Sequence, residues 1–361
     1  MPGFRVALLY NLKHNVPLEP GAPSDALAEY DSMETVQALE DALQAGGHQV
    51  IPLEGDETLV DTIRQADPDI AFNICEGHRG DARESQVPAL LEMLGLPYTG
   101  SNILAHALSL DKAMAKRVWR DSGLPTAPFQ VFHHGDEPLD GQLIFPLFVK
   151  PVREGSGMGI NARSIVEEET ALREQVGWLI RTYRQPALVE GYLPGREFTV
   201  GLLGNTPALG RRRSSGVYNP STGFHIFPVL EVDVTPVAEA GGLYTSHVKM
   251  DLPLAPNYLC PAPIEPALAE ELGRLAVAAF ESIGALDVAR VDFRLGADGR
   301  PYLMEINTLP GLNPTYSDLV IMARAEGMEY ATLINEILHL ALDRYGLVWD
   351  VGVPSRLRSR I

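Results

Sequence analysis

Three short segments combine residue types that handle phosphate and hard cations. The first is FVKPVREGSGMGI, where an apolar run delivers Lys150 and a glycine-rich loop with Gly155, Ser156, Gly157 and Gly159 follows at once. Glycine lets backbone N–H groups approach phosphate oxygens closely, and a lysine adds point charge. The spacing is neither that of a P-loop nor a dinucleotide-binding G-x-G-x-x-G after the first strand, and a plain glycine-rich hairpin loop is the competing reading. The second is DFRLG followed by MEIN, two strand-like runs around the hairpin-type turn Ala297-Asp298-Gly299-Arg300. Residues two apart on a strand share a face and a paired strand adds a third, so Asp292, Glu305 and Asn307 can converge as oxygen ligands. Mg²⁺ favours such a set, completed by water and substrate phosphates. Met304 and Ile306, which alternate with Glu305 and Asn307, are then expected on the buried face. An exposed acidic hairpin face is the alternative. The third segment is LVEGYLPGREF. A strand ends at Glu190 and runs into Gly191, Tyr192 and Leu193, an edge able to hydrogen-bond an adenine and a ribose, with Glu197 placed to face the same pocket. Simple exposure of these carboxylates is the alternative.

These segments need a scaffold of strands. Residues 4–10 (FRVALLY) read as a strand, residues 32–46 as a helix stopped by Gly46-Gly47. HQVIPLEG, DIAFNICEG and GLPYTGS follow as short apolar runs separated by helical segments, a βαβ alternation that implies a parallel sheet up to about residue 105. A helix carrying Lys112, the runs LIFPLFVKPV and ALVEGYL, and a helical stretch near 165–183 make a second unit, 106–200. Residues 201–260 carry short β-type runs, glycines and prolines. A helix at about 264–283, the DFRLG–MEIN hairpin and a last helix at about 328–344 complete a third unit, 201–345, before a tail at 346–361. The expected class is α/β: an N-terminal Rossmann-like parallel sheet, then a two-part module with mixed and antiparallel sheets.

A length of 361 residues suits two or three domains of roughly 100–150 residues. Cys75 and Cys260 are the only cysteines, which excludes a disulfide framework or a cysteine-based zinc site. The N-terminus reads as a buried strand, no stretch approaches the roughly 20 apolar residues of a membrane span, and a cytoplasmic location is expected. A net charge of −18 argues against nucleic acid or anionic membranes as partners. It also requires a locally cationic pocket for any polyanionic substrate such as ATP. The basic end PSRLRSRI reads as a solvated tail.

The order of these segments resembles the ATP-grasp ligases, and specifically the D-alanine–D-alanine ligases. The resemblance is nearly full length, carried by LGLPYTGSNILAHALSLDKAMAKRVWRDSGLPTAPF, FVKPVREGS, LVEGYLPGREFTVGLLG and ARVDFRL…YLMEINTLPGL. It implies an ATP-grasp fold and an ATP- and Mg²⁺-dependent carboxylate–amine ligase, with Mn²⁺ as a possible substitute. Lys112 and Lys150 then match the lysines that grip the phosphates, and the loop 154–159, with Glu154, Gly155 and Gly157, closes over them. Ser156 matches a serine that holds the loop closed, Glu190, Tyr192 and Leu193 the adenine linker, and Glu197 the ribose carboxylate. Asp292, Glu305 and Asn307 match the Mg²⁺ ligands. Arg290 and the Gly311 amide match the oxyanion hole, and Glu29 a glutamate that holds the first substrate's ammonium group, with a surface glutamate as the alternative. Ser317 falls among the substrate contacts. The implied partners are ATP and small amino acids, and a homodimer follows by family analogy.

Three departures fall on the amino-acid subsites. In CEGHRGDARESQVPALLE, Glu76 takes the place of the family's histidine and Arg83-Glu84 replace part of an acidic run; His78 reads as a loop residue. In YTSHVKM the lid keeps Lys249, a nucleotide contact, but Met250 stands where a tyrosine is usual, and methionine cannot make that tyrosine's hydrogen bond. Residues 205–245 form a longer insert with Arg211, Arg212 and Arg213, either a carboxylate reader or a solvated turn. The substrate is therefore left open between D-alanine for a peptidoglycan precursor and another amino acid or specialised-metabolite acid. A non-catalytic nucleotide-binding module is the remote alternative, opposed by the intact metal and phosphate residues.

Overall fold

The computed structural model describes residues 3–18, 20–206, 217–234 and 257–347. Strands β1 (Arg5–Tyr10), β2 (Gln49–Glu54) and β3 (Ile70–Asn73) form a parallel sheet in the order β2-β1-β3. Val6, Ala7, Leu8 and Leu9 of the central strand are all buried, as a parallel strand covered on both faces must be. Helix α1 (Met33–Ala45) covers one face; the Ser32 hydroxyl accepts the Thr35 amide and supplies its N-cap. Helices α2 (Leu59–Ala66) and α3 (Gln86–Leu94) cover the other through Leu59, Ile63, Val87 and Leu91. Helix α4 (Ile103–Leu110) then leads directly into α5 (Lys112–Asp121).

The second sheet joins β4 (Phe129–Phe132), β5 (Leu147–Pro151), β6 (Ile165–Val166) and β7 (Ala187–Gly191) in the order β4-β7-β5-β6, every pair antiparallel. Helix α6 (Glu169–Tyr183) packs Leu172, Val176 and Leu179 onto it. The third sheet runs β11-β10-β8-β12-β13, with β9 (Phe224–Ile226) paired to β8. Its strands are β8 (Glu197–Gly204), β10 (Leu230–Asp233), β11 (Asn257–Leu259), β12 (Asp287–Leu295) and β13 (Pro301–Asn307). Trp119 of α5 and Phe280 of α7 (Pro266–Ser282) share a core with Phe198, Val291 and Phe293 of this sheet. Helices α8 (Asp318–Ala325) and α9 (Tyr330–Arg344) return to the first sheet, where Leu319, Ile334 and Leu338 meet Val6 and Leu8.

Sheet pairing divides the chain differently from its linear reading. Strand β8 runs across the boundary expected at residue 200, because it pairs along its whole length with β12. Helix α5, expected in the middle unit, packs on the third sheet. Residues 348–361, which include the basic tail, lie outside the described residues.

The DFRLG–MEIN hairpin forms as expected, but not as a simple alternation. Asp292 pairs with Glu305 while Phe293 pairs with Leu303, so Met304 is the extra residue of a β-bulge. The bulge turns Met304 out beside Glu305 onto the cavity described below, and Leu303 takes the core position instead. The expectation that Met304 lies on the buried face is thereby corrected. Helix α8 carries no signal in the sequence reading.

Candidate active site

An open cavity of about 710 Å³, its mouth included, is walled by β5 and the glycine-rich loop on one side and by β8, β12 and β13 on the other. Lys112, at the first position of α5, closes one end. The Asp111 carboxylate, accepting the Met114 amide, fixes where that helix starts and so where Lys112 stands. Strand alternation decides the β12 face: Val291 and Phe293 are fully buried in the core, and Arg290, Asp292 and Arg294 face the cavity. Lys112, Lys150, Arg290 and Arg294 thus supply the concentration of positive charge that an acidic chain needs around a polyanion.

The positive residues are held by carboxylates. Lys112 Nζ donates to the Glu154 carbonyl and lies 3.3 Å from Glu305 Oε2. Arg290 grips Asp292 with two hydrogen bonds, of 3.1 and 2.9 Å, and meets Asp318 at 3.1 Å. Burial pushes the Asp292 carboxyl up, and Arg290 opposes the shift. Thr199 of β8 donates to Asp292 at 2.9 Å, and Asn307 Nδ2 donates to it at 3.2 Å. Asp292 and Glu305 sit directly opposite each other across the hairpin. Two carboxylates on facing strand positions, with an amide bonded to one of them, fit a hard divalent cation such as Mg²⁺, once the amide presents its oxygen.

Glu190 stands apart from its expected place. The structure puts its carboxylate between Lys116 and Lys150, 2.7 Å from each ammonium group. Burial alone would raise its pKa; the two cations win and hold it down to about 2. Glu197 does line the cavity, 3.8 Å from Arg294, whereas Tyr192 packs its ring under the Arg294 guanidinium, and Leu193 is not part of the wall.

The glycine-rich loop is fastened from the far side by the N-terminal segment. Glu29 accepts the Gly155 amide at 2.6 Å, and Asp25 accepts the Gly159 amide at 3.1 Å and the Tyr183 hydroxyl at 2.9 Å. A side chain at Gly155 would stand 2.4 Å from the Glu29 carboxylate, so Glu29 would have to give up this position. Ser156 adopts a positive φ of 49°, at the crest of the loop. Arg83 links Glu29 (2.6 Å) to Glu154 (3.2 Å) and donates to the Arg153 carbonyl. Both oxygens of Glu29 are therefore engaged within the protein, a placement different from the open ammonium site expected of it.

The remaining candidates lie at the periphery. Gly311 is exposed and outside the cavity wall, and Ser317 closes the 311–317 loop by accepting the Asn313 amide at 2.8 Å. Glu76 lies near Glu29 and Glu84, and burial first, then these neighbours, push its carboxyl well up. Lys249, Met250 and Arg211, Arg212 and Arg213 lie outside the described residues. Sequence reasoning passed over Thr199, Arg294, Asp318 and Lys116. Arg294 was legible, since it follows Asp292 at the two-residue period of the strand; Asp318 was not, because α8 went unread.

A family profile described as the D-ala D-ala ligase C-terminus matches residues 118–339. An uncharacterised protein, y4sG, of Sinorhizobium fredii is 39% identical over 84% of this chain and 86% of its own length. A D-alanine–D-alanine ligase of Pelotomaculum thermopropionicum is 30% identical over 88% of this chain and 93% of its own. The crystal structure of a D-alanine–D-alanine ligase from Bacillus anthracis complexed with ATP superposes with a TM-score of 0.70 at 22% identity, covering 96% of this chain and all of that one. That likeness carries the ATP-grasp fold, and the sequence matches carry the kinship: this chain belongs to the D-alanine–D-alanine ligase family.

Proposed function

We propose that the protein is an ATP- and Mg²⁺-dependent carboxylate–amine ligase that joins two amino acids, with D-alanine as the first candidate for both. The observation that carries this reading is the convergence of Lys112 and Lys150 with the Asp292–Glu305–Asn307 set on one cavity, beneath a glycine-rich loop. In the reaction, a substrate carboxylate oxygen attacks the γ-phosphorus of ATP and ADP leaves. The amine nitrogen of the second substrate then attacks the acyl carbon; phosphate is expelled and the nitrogen gives up a proton. Lys112 and Lys150 neutralise the phosphates, and Arg290 is placed to meet the oxyanion of the tetrahedral intermediate. Asp292, Glu305 and Asn307 would hold Mg²⁺, which neutralises charge on the transferring group. The glycine-rich loop shields the acyl phosphate from water.

The relatives named as D-alanine–D-alanine ligases support that substrate, whereas the y4sG protein carries no substrate in its name. Glu76, a half-buried carboxyl in the position of the family's histidine, pushed up by desolvation and by Glu29 and Glu84, favours a second reading in which the first amino acid differs. A screen of D- and L-amino acids, singly and in pairs, for ADP release decides between them. Release with D-alanine alone supports the first reading, release only with other pairs the second, and no release with any amino acid refutes the ligase assignment. We further propose a homodimer in the cytoplasm. No helix among the described residues is long and apolar enough to cross a membrane.

A further inference from the structure

Lys116 lies one helical turn after Lys112, on the same face of α5. Lys112 reaches the cavity, whereas Lys116 stays behind its wall with no exposed surface. Its ammonium group donates to Thr126 Oγ1 at 2.7 Å and to the Leu303 carbonyl at 3.3 Å, and pairs with Glu190 Oε2 at 2.7 Å. With two hydrogen bonds, a charge contact to Glu190 and no exposed surface, Lys116 is not open to a ligand. Glu190 passes the constraint on: its other oxygen meets Lys150 Nζ at 2.7 Å. Lys150 lines the cavity, and Glu190 is its only oxygen partner among the described residues. Two of its N–H bonds are therefore available to phosphate oxygens.

We infer that Lys116 is a positioning residue for the nucleotide: it neutralises and immobilises Glu190, which in turn aims Lys150 into the cavity. This rests on the reading of that cavity as the ATP site. The charge count gives the physical reason. One carboxylate between two ammonium groups leaves one positive charge for phosphate. Without Lys116, Glu190 and Lys150 become a closed neutral pair, and Lys150 must answer the demand of Glu190 alone before it can serve a ligand. Thr126 and Leu303 matter because they anchor the rear cation to the loop after α5 and to β13, so the position of Lys150 on β5 is referenced to the opposite wall of the cavity.

Calorimetric titration of Mg²⁺–ATP into the full-length wild-type protein and into Lys116→Met tests the inference. Wild-type protein binds, and Lys116→Met binds at least tenfold more weakly, while its KM for the amino-acid substrates stays within twofold. In the Glu190→Gln background, where no carboxylate needs a rear cation, Lys116→Met costs less than threefold; a merely structural role would give the same cost in both backgrounds. If Lys116→Met fails to fold, Thr126→Val takes away one anchoring oxygen without changing any charge, and binds about threefold more weakly. Undiminished ATP affinity in the folded variant, or additive effects in the Glu190→Gln background, overturns the inference. A wild-type protein that does not bind Mg²⁺–ATP overturns instead the nucleotide reading beneath it.

Discussion

Glu29 Oε1 accepts the backbone amide of Gly155 at 2.6 Å, tying a residue near the N-terminus to the loop that closes the cavity. The bond is charge-assisted and partly shielded from water, and such bonds contribute about 1.5–3 kcal/mol. Replacing Glu29 by alanine leaves Gly155 without its acceptor and Arg83 with one carboxylate, Glu154, in place of two. Hydrogen exchange of the amides between Gly155 and Gly159 is expected to speed up by about tenfold or more, while the amides of β1 keep their protection. Unchanged exchange in the loop would show that Asp25 and Arg83 hold it without Glu29.

Glu305 faces Asp292 across the hairpin and lies 3.3 Å from Lys112, so it joins the proposed metal set to a proposed phosphate lysine. Glu305→Gln keeps the shape and removes the charge that a divalent cation requires. ADP formation is expected to fall below detection, with the melting temperature within a few degrees of wild type. An active Glu305→Gln variant would refute the assignment of the metal set.

The sequence made legible the residues proposed for phosphate and metal because each group is local. Lys150 and its glycines are contiguous, and Asp292, Glu305 and Asn307 follow from the period of two paired strands. What escaped depends on non-local geometry. The bulge at Met304 is invisible in an alternating pattern, because apolar Met304 suits a core face as well as a cavity wall. Glu190 reads as the end of a strand beside a nucleotide linker; only the packing of α5 against β7 brings Lys116 to it. Glu29 reads as a loop acid until the fold carries it to Gly155, 126 residues away.

Asp287 is fully buried at the start of β12, in a left-handed conformation with φ of 63°. Its carboxylate accepts the Gly100 amide at 2.9 Å, the Asn205 side chain at 2.8 Å and the Arg344 guanidinium at 2.8 Å. The N-terminal unit, the third sheet and the last helix meet on this one group. Arg344→Met leaves the carboxylate buried without its cation, a change that costs about 3–5 kcal/mol. Chemical denaturation is expected to show a loss of that size, and Asp287→Asn combined with Arg344→Met a smaller loss than Arg344→Met alone. Equal losses in the two would show that the charge pair contributes nothing.

Glu154 borders the cavity at the foot of the glycine-rich loop, where burial first, then Glu29, push its carboxyl up to about 7 against the pull of Arg83. Its ordinary value is 4.5, so the folded protein holds this proton more tightly than the unfolded chain does. The contribution to stability is therefore complete below about 4.5 and declines as pH rises towards 7. The same proton bears on nucleotide affinity. Below about 7 the group is neutral; above it, a carboxylate adds negative charge at the border of the cavity. ATP binding is expected to tighten severalfold from pH 8 to pH 6, against the trend set by protonation of the nucleotide itself. Glu154→Gln removes the titrating group and keeps an amide of the same size, so only the nucleotide's own trend should remain in the variant. Parallel pH profiles for wild type and Glu154→Gln would show that Glu154 does not titrate against the bound phosphates.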